Sequence, residues 1–99
     1  MCGICGYIHL DESKRPNVAV VRNMMDALVH RGPDDEGMYL KDNAALGHRR
    51  LSIIDLETGH QPMFNEDGSI AIVYNGEVYN FRELKDALLK KGHVFKTHS

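Results

Sequence analysis

A cysteine stands second in the chain, in the run Met1-Cys2-Gly3-Ile4-Cys5-Gly6. Loss of Met1, expected before a residue as small as cysteine, would leave Cys2 carrying a thiol and a free α-amine on one carbon. That is a nucleophile and a base that need no folding to meet. A terminal α-amine titrates at about pH 8 and a free thiol at about 8.5, so the amine can take the thiol's proton near neutral pH. Nucleophiles activated by their own terminal amine are an established catalytic strategy. Against this stands the ordinary use of cysteine as a small buried hydrophobe on a strand. Gly3 weighs toward chemistry, because glycine lets a substrate or another backbone come close. The run also reads as Cys-x-x-Cys. There is one such pair, and the six histidines (His9, His30, His48, His60, His93, His98) lack ligand spacing, so no zinc site is assembled. A redox pair would sit at a helix start. This pair lies in a predicted strand, where residues three apart face opposite ways, and Cys5 reads as a core residue.

Three further segments carry polar groups suited to amide chemistry. Asn75-Gly76 is by itself a strong hairpin signal, yet it precedes a helix rather than a matching strand. An Asn side-chain N–H₂ and a neighbouring Gly N–H can converge on one point, the geometry of an oxyanion hole. Arg49-Arg50 follows a strand; it is either a solvated pair or one guanidinium forking onto a ligand carboxylate. Spacing does not say which of the two points inward. Arg31-Gly32-Pro33-Asp34 is at minimum a helix terminator and turn, with His30-Arg31 placed to bond the last helical carbonyls.

The elements that must position these residues run β-α-β-β-β-α-β. Gly3 to Leu10 is apolar and β-branched, a strand. From Pro16 to His30 the residues Val18, Val21, Met25, Leu28 and Val29 recur at helical spacing, with Pro16 suited to a first turn. Gly37 to Lys41 and Ala44 to His48 are strands joined at Asp42-Asn43. Leu51 to Leu56 is a further apolar stretch, and Thr58 to Asp67 a loop. Ser69 to Tyr74 is a strand whose near-continuous apolarity predicts burial on both faces. Asn80 with Glu83 resembles a capping box. The helix they open carries Leu84, Ala87, Leu88 and Lys91 on one face and stops at Gly92. His93 to Thr97 is a last strand with no partner yet supplied, the mark of a fragment. The fold class is α+β, a mostly antiparallel sheet with helices on one face.

Composition narrows the function classes. With 99 residues there is room for one modest core. Lys and Arg total 12 against 14 acids, which disfavours a nucleic-acid partner. No segment is long and uncharged enough to span a bilayer, so no membrane role is expected. Two cysteines without a secretory signal predict a reducing, cytoplasmic setting.

Taken in order, Cys2-Gly3-Ile4, His30-Arg31-Gly32-Pro33-Asp34, Gly47-His48-Arg49-Arg50-Leu51-Ser52-Ile53, Gln61-Pro62 and Tyr74-Asn75-Gly76-Glu77-Val78-Tyr79-Asn80 resemble the class II glutamine amidotransferases. The chain is most similar to the glutaminase domain of glutamine-hydrolysing asparagine synthetases. The resemblance covers nearly all of the chain, and five motifs in order are far more specific than any one.

The resemblance implies an N-terminal-nucleophile αββα sandwich, with residues 1–99 its N-terminal portion. The rest of that domain, including an aspartate for the substrate amine, and the synthetase domain would lie beyond. It implies that Cys2 attacks the side-chain amide of glutamine, while the Asn75 side chain and the Gly76 N–H hold the oxyanion. Arg50 would grip the substrate α-carboxylate. Leu51, Ser52, Ile53 and Ile54 would line the pocket through backbone groups, and Glu77 would meet the α-amino end. The glutaminase half-reaction needs neither metal nor organic cofactor. ATP and Mg²⁺ would serve the synthetase domain, where ammonia meets an activated aspartate; the chain has no Gly-rich phosphate loop of its own. The implied partners are glutamine and the chain's own C-terminal synthetase domain, with a homodimer as one assembly. Two alternatives remain open at this level: the glutaminase part of an amino-sugar, purine or surface-polysaccharide amidotransferase, or an inactive truncated binding fragment.

Overall fold

The computed structural model describes residues 2–51 and 60–96. It is a small α+β arrangement with two antiparallel sheets. Strands β1 (Gly3–Ile8), β2 (Asp35–Lys41) and β3 (Ala44–Arg50) form the first, in the order β1-β3-β2. Strands β4 (Met63–Phe64) and β5 (Ala71–Ile72) form the second. Helix α1 (Val18–Asp26) lies on the first sheet, and helix α2 (Phe81–Lys90) follows β5.

The predicted hairpin at Asp42-Asn43 is present. Lys41 pairs with Ala44, and Asp42 takes the left-handed φ of 53° that a tight turn needs and that aspartate tolerates. Asn43 also ties the hairpin to the end of β1: its side chain donates to the His9 carbonyl at 2.7 Å, and its own carbonyl accepts from His9 N–H at 2.9 Å.

Helix α1 is shorter than its periodicity predicts. Asn17 is extended (φ −90°, ψ 122°) and its side chain accepts from Ala19 N–H, so Asn17 is the N-cap and Pro16 lies outside the helix. After Asp26 the chain tightens into i→i−3 turns (Leu28 N–H to Met25 O, Arg31 N–H to Leu28 O), which bring Arg31 back toward the start of β1. Val21 and Met25 are fully buried with Ala45, and Cys5, Tyr7, Met38 and Leu40 pack around them. Val18 and Val29 remain exposed. Small residues on β3 let the helix in: a Cβ on Gly47 would lie 2.8 Å from Met25 Cγ and 2.7 Å from Cys5 Sγ.

Several expectations are corrected. β2 begins at Asp35 and β3 runs on to Arg50, because the turn after α1 docks on β3: Asp34 N–H donates to Arg50 O. Met63–Phe64, placed in a loop by sequence, is a strand. β5 covers only Ala71–Ile72, and Ile70, Ile72 and Tyr74 are exposed rather than buried on both faces. Its one strand neighbour among the described residues is β4, too short to form a two-sided layer. Asn80 makes no side-chain cap, because at φ −99°, ψ 29° it is not extended and cannot reach forward over the first turn. Gly92 does end α2, at φ 91°, with His93 N–H bonded to Leu88 O and Gly92 N–H to Leu89 O in a Schellman arrangement. Residues 93–96 form no strand. Val94 N–H is taken by the Glu66 carboxylate and Lys96 Nζ by Asn65 O, side-chain bonds in place of a ladder. The apolar stretch from Leu51 lies mostly outside the described residues.

The second sheet stacks on the face of the first that is opposite α1. Tyr39 meets Phe64 edge-on at 5.2 Å, and the Gln61 carbonyl lies so close over Gly37 that no Cβ would fit there.

Candidate active site

Register decides which arginine serves which face. Neighbouring strand residues point to opposite sides. Arg49 faces the α1 side, where Nη1 pairs with Glu36 Oε2 at 2.5 Å and Nε donates to Gly32 O at 2.9 Å. Arg22 of α1 completes this cluster at 2.6 Å and, with Arg49, holds the Glu36 carboxyl below its ordinary range. Arg50 therefore falls on the other face, opposite Asp35 in the ladder and on the same side as His48.

Cys2 sits just before β1. Its sulfur receives the Leu51 N–H at 3.4 Å, and its thiol points at the Leu51 carbonyl at 3.8 Å. Two donors converge on its carbonyl: Asn75 Nδ2 at 3.0 Å and Arg31 Nε at 3.3 Å. The Asn75 amide has two hydrogens, so one remains for another acceptor. Cys2, Asn75, Gly76 and Glu77 line one cavity of about 940 Å³, together with Gln61, Tyr74 and, toward α2, Phe81 and Leu88. Arg50 is not among its lining residues. Leu51 touches the sulfur from one side, and Ser52, Ile53 and Ile54 lie outside the described residues. Both cysteines are free, and burial pushes the Cys5 thiol up, as suits a packing residue. No group of three His, Cys, Asp or Glu side chains able to hold a metal is found among the described residues.

Four residues that sequence reasoning left without a catalytic or binding role lie in or beside this site. Arg31 holds the Cys2 carbonyl from the turn after α1. His60 Nδ1 lies 2.6 Å from Asp35 Oδ2. Partial burial pushes the Asp35 carboxyl up, but the hydrogen bonds from His60 and from Glu36 N–H, with the nearby Arg50 charge, hold it below its ordinary value. Gln61 bonds both main-chain groups of Tyr74. His48, only 1% exposed, is buried between the layers, and its Nε2 has no hydrogen-bond partner among the described residues.

Burial is the main force lowering the His48 imidazole below its ordinary 6.5, and the Arg50 charge adds to it; the Tyr74 main chain and Asp35 only soften the effect. The unfolded chain then binds a proton that the folded chain refuses. Folding stability is therefore expected to fall as pH drops from about 7 through the mid-6s, by at most about 1.4 kcal/mol per pH unit. The low carboxyls of Asp35 and Glu36 act in a separate window, their contribution being lost only below about pH 4.5. Denaturant midpoints measured across this range should show a flatter slope for His48→Gln than for the native sequence. An unchanged slope would remove His48 as the cause.

The whole chain, residues 1–99, matches the family described as glutamine amidotransferase domain. It is 46% identical over 101 residues to asparagine synthetase [glutamine-hydrolyzing] 2 of Bacillus subtilis, covering all of this chain and 13% of that protein. It is 43% identical to the probable asparagine synthetase [glutamine-hydrolyzing] of Dictyostelium discoideum, covering all of this chain and 18% of that protein. It is 40% identical to asparagine synthetase [glutamine-hydrolyzing] 1 of Arabidopsis thaliana, again over the whole chain and 17% of the relative. The chain thus spans less than a fifth of the curated relatives it matches. No helix among the described residues is long and apolar enough to cross a membrane. With its motifs in order and the family matched from end to end, this chain belongs to the glutamine amidotransferase domain family.

Proposed function

We propose that this chain is the nucleophile-bearing part of a glutaminase that supplies ammonia for ATP-dependent synthesis of asparagine from aspartate. In this reading Cys2 is terminal after loss of Met1. Its α-amine takes the thiol proton, and sulfur attacks the side-chain carbonyl carbon of glutamine. The resulting oxyanion accepts from the second Asn75 N–H and from Gly76 N–H. Collapse breaks the C–N bond, the amine returns its proton to the leaving nitrogen, and ammonia departs from a γ-glutamyl thioester. Water, deprotonated by the same amine, attacks the thioester, releasing glutamate and restoring the thiol. Arg50 receives the α-carboxylate, the main chain from Leu51 to Ile54 lines the pocket, and Glu77 meets the α-amine.

The observation that carries this reading is that Cys2 and Asn75, separated by 73 positions, line one cavity and are joined by a 3.0 Å hydrogen bond. The relatives' names support asparagine synthesis as the destination of the ammonia. The glutaminase steps use neither ATP nor Mg²⁺, which in this reading bind beyond these residues. The sheet with α1 on its outer face and a second antiparallel pair on its inner face fits half of an αββα sandwich. Two free cysteines fit a cytoplasmic location.

The test uses the full-length protein that carries this chain. Intact mass should show Met1 removed, glutamine should yield glutamate, and a diazoketone analogue of glutamine should label Cys2 alone. Active material that retains Met1, or label on another residue, would overturn the reading.

A further inference from the structure

We infer that Gln61 is a positioning residue for the oxyanion-binding pair, acting through the main chain of Tyr74; this rests on the glutaminase reading of the site. Past Ile72 the chain leaves the β4–β5 ladder, and its main-chain polar groups need partners elsewhere. The Gln61 carboxamide meets that need at one residue: Oε1 accepts from Tyr74 N–H at 2.6 Å, and Nε2 donates to Tyr74 O at 2.8 Å. A primary amide presents an acceptor and a donor side by side, so the side chain stands in for one rung of a sheet.

Gln61 is itself held from below. Its backbone approaches Gly37 of β2 closely, and a side chain at 37 would collide with the Gln61 carbonyl. Gln61 thus packs on the first sheet, and its side chain holds the peptides on both sides of Tyr74, the second of which leads into Asn75. The Tyr74 ring then folds back over Gly76, its hydroxyl 2.8 Å from where a Cβ would sit. Both proposed oxyanion donors thus lie within two residues of the peptide that Gln61 clamps. Most of the proposed substrate grip lies elsewhere, at Arg50 and the main chain after it, and only Glu77 follows the clamped peptide, so losing the clamp acts more on turnover than on binding.

In the full-length protein, Gln61→Ala should lower kcat for glutamine hydrolysis about 10- to 100-fold, the scale of a donor misplaced by up to about an ångström, with KM changed less than about threefold. Combining it with Asn75→Ala should cost little beyond Asn75→Ala alone, since the first change acts through the second residue. Gln61→Glu adds a readout that a purely structural role would not move. The ionised carboxylate faces the Tyr74 carbonyl with no donor, whereas the protonated acid offers a donor and an acceptor as the amide does. Its kcat relative to the native protein should therefore recover as pH falls from about 8 toward about 5.5. An unchanged kcat in Gln61→Ala, a loss confined to KM, or losses that multiply with Asn75→Ala would overturn the inference. If the native protein hydrolyses no glutamine, the glutaminase reading fails instead, and amide hydrogen exchange still decides the clamp. Tyr74 N–H should exchange faster in Gln61→Ala, and equal protection in both proteins would overturn it.

Discussion

Cys2→Ala is expected to abolish glutamine hydrolysis in the full-length protein, with kcat falling on the order of 10⁴- to 10⁶-fold, the scale reached when a nucleophile that works as a unit with its base is removed. The expectation follows from what Cys2 touches. Its sulfur rests against the Leu51 main chain, and its carbonyl is held by Asn75 and Arg31. A methyl group in its place leaves the two bonds to the Cys2 carbonyl intact and removes the attacking atom together with its contact to the Leu51 main chain. Cys5 offers no substitute. It is half-buried on the α1 side of β1, with its thiol pushed up by burial and wedged against Gly47. On the function proposed above, asparagine formation from ammonia supplied directly should survive, because it bypasses the thiol. Measuring both activities separates the cases: equal loss of the glutamine- and ammonia-dependent rates would show that Cys2 supports the fold rather than the chemistry.

Asn75→Ala carries the second largest expected effect. Removing one oxyanion donor costs about 10²- to 10³-fold in kcat, or about 2.7–4 kcal/mol of transition-state stabilisation. KM should move little, because charge develops on the amide oxygen only after attack. The Cys2 carbonyl would keep the Arg31 bond, so the nucleophile should stay in place. Asn75→Asp replaces the donor with a second negative charge beside the developing oxyanion and should be at least as damaging. Steady-state kinetics on both variants provide the check. A drop of less than about fivefold, or one expressed in KM alone, would show that Asn75 acts in binding rather than on the transition state.

The two helices show how far local pattern reaches. The spacing of Val18, Val21, Met25, Leu28 and Val29 pointed to α1, although Leu28 and Val29 fall past its end, and Gly92 located the end of α2, because helical faces and glycine caps depend on residues within one or two turns. The α2 start at Asn80 agrees with the sequence, whereas α1 starts two residues later than Pro16 suggests, and the two caps differ for a backbone reason. Asn17 is extended and caps; Asn80 is not and does not. An asparagine before a helix is compatible with either conformation.

The candidate site divides along the same line. Cys2 and Asn75-Gly76 were legible as candidates from residue type and local spacing, since a thiol near the chain start and an Asn-Gly donor pair carry their chemistry with them. Which of Arg49 and Arg50 lies on the sheet face away from α1 was not decidable until β3 found its register against β2, because a strand's two sides are set by its partners. The roles of Arg31, His48, Gln61 and Tyr74 arise from contacts between segments distant in the chain: a turn after α1 reaching back to Cys2, a histidine sealed between two layers, a side-chain amide replacing a strand. Amino-acid type alone supplied the reactive groups; long-range packing of the second sheet against the first chose their neighbours, since hydrogen bonds and burial depend on separations in space that no local spacing encodes.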